Sequence, residues 1–313
     1  MVKIRLGYAC INMNLSNELC GSRTATHKTI IKLGEKIGIE YLKSLAIKNV
    51  QDLLTTLEWN EKNNIKFFRI TSCIFPHLGD RTLIQLYPDN GYLQGDIEFA
   101  RPYLIKVGDF AKMNKHRLTF HSHPYTQLGS PTAQIIINSI FDLRMFYKTF
   151  KMMDIEPSPY NCVILHGGGV YGDKSKTIER INQTLNTLDP AIKKMLVFEN
   201  DERHYNPIDL LEICELQGMP LCFDIFHNAI SKNHVEISPE LMKRIIRTWN
   251  GYIPKFHISE QRPGERFGAH SDYVTELPKW LFELPIDDLD LMLECKQKEK
   301  SVLLIYQKYP DFF

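Results

Sequence analysis

Short apolar runs recur along the chain at intervals that leave room for a helix between each pair. They are IRLGYA at 4–9, KFFRIT at 66–71, RLTFH at 117–121, NCVILH at 161–166, KMLVFE at 194–199, MPLCFD at 219–224, KFHIS at 255–259 and DLMLE at 290–294. Each has the length of a buried strand rather than of a helix. Residues 28–62 repeat apolar positions three and four apart, predicting one or two amphipathic helices. Residues 132–152, 175–188, 206–216, 238–249 and about 273–284 each predict a further helix, and 301–309 predicts a last one. Pro207 and Pro239 fall where a helix start loses nothing from a missing N–H, behind the capping residues Asn206 and Ser238. Eight strand and helix units in alternation predict a single (β/α)8 barrel of the TIM type, with residues 1–313 as one domain and the active site at the C-terminal strand ends.

Composition narrows the classes. Charged residues make up 24% of the 313, the formal net charge is +1, and no basic tail or acidic block stands out, so any nucleic-acid surface must be local. No apolar run is long enough to span a bilayer, and the N-terminus leads into a strand pattern without a signal-like core, so a soluble intracellular protein is expected. Seven cysteines, at 10, 20, 73, 162, 214, 222 and 295, form no C-x-x-C pair. Several, such as Cys162 and Cys222, lie in strand-like runs and read as buried thiols.

Ligand-type residues gather at the strand ends. His121, His166, Glu199, Asp224 and Glu294 close their strands, His257 sits in the seventh, and His77, His227, His270 and Asp272 follow in loops. A barrel would converge all of them on one rim, where buried carboxylates need a cation to offset desolvation. The spacings match no H-E-x-x-H, EF-hand or zinc-finger pattern, and the number of ligands suits two or three ions better than one.

These segments resemble the UV-damage endonucleases, relatives of endonuclease IV in fold and metal site. The likeness rests on GYACIN at 7–12, FRITSCIFPH at 68–77, LTFH at 118–121 with LGSP at 128–131, and LHGGGVYGDK at 165–174. FEND at 198–201, FDIFH at 223–227, KFHIS at 255–259, AHSDYV at 269–274 and DLMLECKQKE at 290–299 complete it. The resemblance implies hydrolysis of the phosphodiester immediately 5′ to a lesion in double-stranded DNA, leaving a 3′-hydroxyl and a 5′-phosphate. The implied lesions are cyclobutane pyrimidine dimers, 6-4 photoproducts and abasic sites. It implies Mn2+ as the metal, with Zn2+, Co2+ and Mg2+ left open by the donor set. His77, His121 and Glu199 would hold one ion, with Glu199 bridging to a second held by Asp224, His257 and Glu294. A third would fall to His227, His270 and Asp272. Glu199, His166 and Lys255 are the implied catalytic residues, acting on water made more acidic by the ions. A monomer is expected, in the cytoplasm near the nucleoid of a bacterium or in the nucleus of a eukaryote.

Phosphate contacts are expected from Arg262, Arg266, Lys296 and Lys298 near the rim; the glycine run at 167–174 reads equally well as an anion cradle or a tight turn. Ser130 and Ser259 read as turn or hydrogen-bonding residues. Tyr8, Asn12 and Tyr125 occupy family-like lesion-probing positions, although Tyr8 also suits a core. The chain departs from the family at His121-Ser122-His123-Pro124-Tyr125, where Pro124 stands in place of a probing glutamine and predicts altered lesion discrimination. His123 reads as a polar surface residue rather than an extra ligand. Lys255, two residues before His257, faces the same side of its strand. Residue chemistry alone gives it an ion pair with Asp224 or Glu294, whereas the resemblance implies a carboxylated amine. Two other functions suit the same residues. One is a metal-dependent sugar isomerase or epimerase on the same barrel, and the other a damage-binding protein without catalysis.

Overall fold

The structure is a computed structural model that describes residues 2–15 and 21–310; Cys20 lies outside the described residues. The elements run β1 (Lys3–Ala9), α1 (His27–Lys62), β2 (Phe67–Arg69), α2 (Arg81–Leu86), α3 (Arg101–Met113), β3 (Arg117–His121), α4 (Ala133–Met152) and β4 (Val163–His166). They continue with α5 (Lys174–Thr187), α6 (Pro190–Lys193), β5 (Leu196–Glu199), α7 (Pro207–Gln217), β6 (Leu221–Asp224), α8 (Ile225–Ile230), α9 (Pro239–Thr248), β7 (Lys255–Ile258), β8 (Asp288–Leu293) and α10 (Glu299–Lys308). The strands are parallel and close in sequence order, β8 pairing back onto β1 through Lys3↔Asp288 to Gly7↔Met292.

Every expected strand is present, and the expected caps form. Asn206 makes a reciprocal capping box with Asp209, and the Ser238 hydroxyl accepts from Leu241 N–H. The long first helix is one element with a break at Gly34, whose φ of 74° interrupts the helical backbone. The helix expected near 273–284 is only a 3₁₀ segment, Lys279–Glu283, since Pro278 and Pro285 bracket it. Helices α2, α3, α6 and α8 lie beyond the sequence expectation. In α3 an early proline and Gly108 break the pattern; that glycine is needed because an added Cβ would stand 1.7 Å from the Met153 carbonyl oxygen of the next helix end.

Alternation along each strand sorts side chains between the helix layer and the barrel interior. Inside, near the N-terminal strand ends, Asp290 accepts Nε and Nη2 of Arg5 at 2.6 and 2.7 Å and Nη1 of Arg117 at 2.6 Å. Arg117 is fully buried and spends its other donors on the carbonyls of Tyr160, Pro159 and Ile253. One strand pair along, Gly7 makes room for the Phe67 ring, which an added Cβ would approach to 2.5 Å. Cys162, Ile164, Val197 and Cys222 fill the middle with Trp249, as buried thiols and apolar groups.

Removing one partner from a buried charge network leaves the others unpaired, at a cost of about 3–5 kcal/mol. Arg117→Ala should therefore lower unfolding stability by about that amount in urea titrations. A loss below about 1 kcal/mol would show that Arg5 alone satisfies Asp290.

Candidate metal centre

The last inward-facing residue of each strand reaches the C-terminal mouth of the barrel, and there the interior turns from apolar to ionisable. Glu199, ending β5, is 1% exposed. Its Oε2 lies 3.0 Å from His121 Nε2 of β3 and 3.8 Å from His166 Nε2 of β4. Its Oε1 lies 2.7 Å from His257 Nδ1 of β7 and 3.8 Å from His227 Nδ1 of α8. His257 Nδ1 also stands 3.2 Å from Glu294 Oε1 and 3.9 Å from Asp224 Oδ2. Three sets of ligand atoms each close enough to share one ion therefore meet at Glu199: His121 with His166, Asp224 with His227, and His257 with Glu294.

Hydrogen bonds leave this cluster incomplete. Asp224 Oδ2 and His257 Nε2 are buried and have no hydrogen-bond partner; the Asp224 oxygen has only the His227 and His257 Nδ1 atoms, at 3.7 and 3.9 Å, too far for a hydrogen bond. Burial, reinforced by Glu199 and Glu294, pushes the Asp224 carboxyl up to about 8. Burial pushes the His257 imidazole down to about 4, consistent with a neutral ligand. Burial also opposes charge on Glu199, yet His257, His166 and His121 hold it well below the ordinary carboxylate range. For His227 burial is outweighed by Asp224, Glu199 and Glu294, which raise it to about 9. Carboxylates and imidazoles with orphaned atoms and mutually repelling charge fit divalent cations.

Neighbouring groups set the orientation. The Asn200 side chain bonds both the N–H and the carbonyl of Asp224, and its own carbonyl meets His227 Nδ1 at 3.1 Å. The Arg69 guanidinium pairs with Glu294; against the opposing effect of burial, it and His257 hold that carboxyl below its usual range. Sequence reasoning missed both. Arg69 was legible in principle, as a charged residue at an inward position of a three-residue buried strand.

Several expected residues lie elsewhere. His77 does not join His121 and Glu199, because its ligand atoms group with His27 and Asp80 across the first two loops. Asp272 does not join His227, because its carboxylate is taken by Arg262 at 3.3 Å. His270 stays near the cluster, its ring centroid 6.1 Å from that of His227, with Nδ1 bonded to the Glu294 carbonyl. Tyr8 does not face the mouth, and Asn12, buried just after β1, is tied to Tyr8 by its side-chain amide. In β1 the inward positions are Arg5, Gly7 and Ala9, so Tyr8 points into the helix layer, bonding Asn60 of α1 at 2.5 Å and Asn12 at 2.8 Å. The expected Lys255 ion pair is absent too. Its amine is fully buried, 3.4 Å from Thr119 Oγ1 and 5.5 Å from the Phe67 ring centre, with neither Asp224 nor Glu294 in salt-bridge range. Burial, with Arg69 and Arg117 nearby, lowers its pKa.

The basic residues do converge. Arg262, Arg266, Lys296 and Lys298 line one cavity of about 350 Å³ with Arg69, His270 and Glu294, opening beside the cluster. Pro124 and Tyr125 are exposed on the loop after β3, where the Tyr125 ring stacks on His123 at 4.9 Å. His123 is held by Asp142 at 2.9 Å, outside the cluster. Ser130 takes Thr132 N–H, and Ser259 donates to the Glu294 carbonyl, both in hydrogen-bonding roles. In the glycine run, Gly169 N–H is spent on Gln127, which favours a structural turn.

A sequence profile of the UV-endonuclease UvdE family matches residues 4–312. The chain is 43% identical over 314 residues to a protein of Acanthamoeba polyphaga mimivirus provisionally named a UV-damage endonuclease, covering 98% of this chain and 92% of that one. It is 32% identical to the UV-damage endonuclease of Schizosaccharomyces pombe over 97% of its own length, and spans 50% of that relative. Among solved structures, SacUVDE superposes with a TM-score of 0.84 at 29% identity over 98% of both chains. Endonuclease IV from Thermus thermophilus shares the fold at 12% identity, 98% and 99% coverage and a TM-score of 0.56. Among the described residues, no helix is long and apolar enough to cross a membrane.

Metal-free protein should carry the signature of the crowded carboxylates. Between about pH 4 and pH 8 the folded state holds a proton on Asp224 that the unfolded state has released, so stability from this group falls as pH rises. His227 adds to the fall, since stability present below its unfolded value near about 6.5 is lost as pH climbs through about 9. In chelator the melting temperature should drop from about pH 5.5 to about pH 8.5, less steeply in Asp224→Asn and least with Mn2+ restored. An equal slope in wild type and Asp224→Asn would contradict this charge distribution.

Proposed function

This chain belongs to the UV-endonuclease UvdE family, and from that premise we propose that it is a metal-dependent DNA endonuclease acting on UV lesions. It hydrolyses the phosphodiester immediately 5′ to a cyclobutane dimer, a 6-4 photoproduct or an abasic site, leaving 3′-hydroxyl and 5′-phosphate ends. The observation that carries the reading is the juxtaposition of Glu199, amid four imidazoles, with a five-cation cleft on the same rim. A cluster able to hold several divalent ions needs a polyanion delivered beside it, and the cleft has the charge to hold one.

Residues 1–313 act as one domain, as a monomer on damaged double-stranded DNA. His121, His166, Asp224, His227, His257 and Glu294 are the proposed ligands around Glu199, with His270 next to them. Two or three bound divalent ions, Mn2+ by family likeness, would supply water acidified for in-line attack and positive charge for the departing 3′-oxygen. Asn200 keeps Asp224 and His227 oriented, and Arg69 keeps Glu294 ionised as a ligand. Arg262, Arg266, Lys296 and Lys298 grip phosphates flanking the cut. Lys255, buried without a counter-ion, suits a carboxylated amine, which would exchange an uncompensated cation for an anion facing the ions. The exposed Pro124 and Tyr125 edge meets the lesion. A rigid ring there offers no amide, so lesion ranking should differ from that of glutamine-bearing relatives.

Labelled duplexes carrying each lesion, or none, should be nicked 5′ to at least one lesion with Mn2+ and not with chelator. Glu199→Gln should remove at least about two orders of magnitude of the rate, because the central carboxylate loses its charge while its shape is kept. Equal cutting of undamaged duplex, or full activity in Glu199→Gln, would overturn the reading. In the same assay Pro124→Gln should change the relative rates on the photoproducts without changing metal content, and an unaltered ranking would make the departure neutral.

A further inference from the structure

Away from the barrel mouth, the loops after β1 and β2 bring together three ligand-type residues that the nuclease reading does not use. His27 opens α1, His77 sits in the loop after β2, and Asp80 caps α2. One carboxylate oxygen, Asp80 Oδ2, lies 2.7 Å from His27 Nε2 and 2.8 Å from His77 Nδ1. All three ligand atoms fall within 4.8 Å of one another, and none of these residues shares a ligand set with Glu199.

Proton counting makes the contact informative. His77 lies between two acceptors, with Nδ1 facing Asp80 and Nε2 2.6 Å from the Ala25 carbonyl. A neutral imidazole has one N–H to give. If it goes to the Ala25 carbonyl, an Nδ1 lone pair would face a carboxylate oxygen, so the 2.8 Å contact requires a positive charge there, either a second ring proton or a metal ion. A ring nitrogen fixed by a backbone carbonyl, with the other free to bind, is how ligating histidines are commonly oriented. The second carboxylate oxygen, Oδ1, is occupied by the Leu83 N–H, so Asp80 is fixed as well. The ring is held there by a left-handed backbone at His77, φ 59°, which a non-glycine residue adopts at some cost. The His27 side chain is 44% exposed, leaving a side open to water.

We propose that His27, His77 and Asp80 form a separate divalent-metal site, three protein ligands plus water, that staples the loop after β1 to the loop after β2. Two imidazoles and one carboxylate suit Zn2+ or Co2+ in preference to Ca2+ or Mg2+, which favour oxygen donors. The staple has a structural setting. His77 and Asp80 belong to the wall of a groove of about 720 Å³ that also includes His123 and Tyr125, so an ion there fixes that wall relative to the exposed loop after β3. The site stands independently of nicking activity.

Metal content after loading with Zn2+ and exhaustive dialysis tests the proposal, read by elemental analysis on wild type, His27→Gln, Glu199→Gln and the double variant. His27→Gln should lose one ion per chain relative to wild type. Glu199→Gln should lose ions of the cluster but keep one, and the double variant should lose that one too. His27 is half-exposed at a helix start, so its replacement leaves the fold intact, which circular dichroism and the melting temperature check directly. Asp80→Asn serves as a second variant with the same expected loss. Wild-type stoichiometry in both His27→Gln and Asp80→Asn would overturn the site, as would a Glu199→Gln protein that retains no ion.

Discussion

Burying Glu199 at the end of β5 among His121, His166, His227 and His257, with Asp224 and Glu294 close by, creates an electrostatic demand that side chains alone do not meet. Three carboxylates within one small volume repel each other, and the Asp224 carboxyl pushed up to about 8 registers that repulsion together with its burial. Imidazoles offset part of it, and Arg69 offsets another part at Glu294. What remains is an Asp224 oxygen without a hydrogen bond, and a buried His257 whose Nδ1 is shared among three carboxylates while its Nε2 has no partner. Divalent cations resolve all of these features together, and the rest of the mouth is arranged around that resolution.

The barrel manages the same problem in two other ways along its axis. At the N-terminal end, both carboxylate oxygens of Asp290 are met by Arg5 and Arg117, and every nitrogen of the buried Arg117 guanidinium reaches an oxygen acceptor, giving a charge network closed by the protein's own groups. Midway, Lys255 is a buried amine with only a long contact to Thr119, and its pKa is lowered accordingly. Moving from satisfied to unsatisfied charge along the axis explains why chemistry sits at one rim while the other contributes stability. The cations lining the cleft beside Glu294 extend that rim outward as a basic wall.

Much of this was legible because strand ends are both short and positionally strict. His121, His166, Glu199 and Asp224 are the last residues of their strands, so naming the strand named the ligand. Side-chain alternation also carried information that the family resemblance obscured. Tyr8 has the parity of Leu6, facing the helices, so its hydroxyl goes to Asn60, and Arg69 has the parity of Phe67, facing inward. Loop residues have no such parity. Whether Asp272 meets a metal or Arg262, and whether His77 meets Glu199 or Asp80, depends on backbone excursions such as the left-handed His77 that no local pattern announces. Helix α3 escaped because Gly108, required by contact with Met153, is a poor helix former in isolation.

Diffraction from crystals grown with Mn2+, recorded at the manganese absorption edge, tests the central claim most directly because it locates ions without reference to activity. Two or three anomalous peaks should surround Glu199, with His121 and His166 on one ion, His257 and Glu294 on another, and the Asp224 Oδ2 atom engaged. A map with no peak within coordination distance of Glu199, or one in which its carboxylate remains bonded only to imidazoles, would contradict the account.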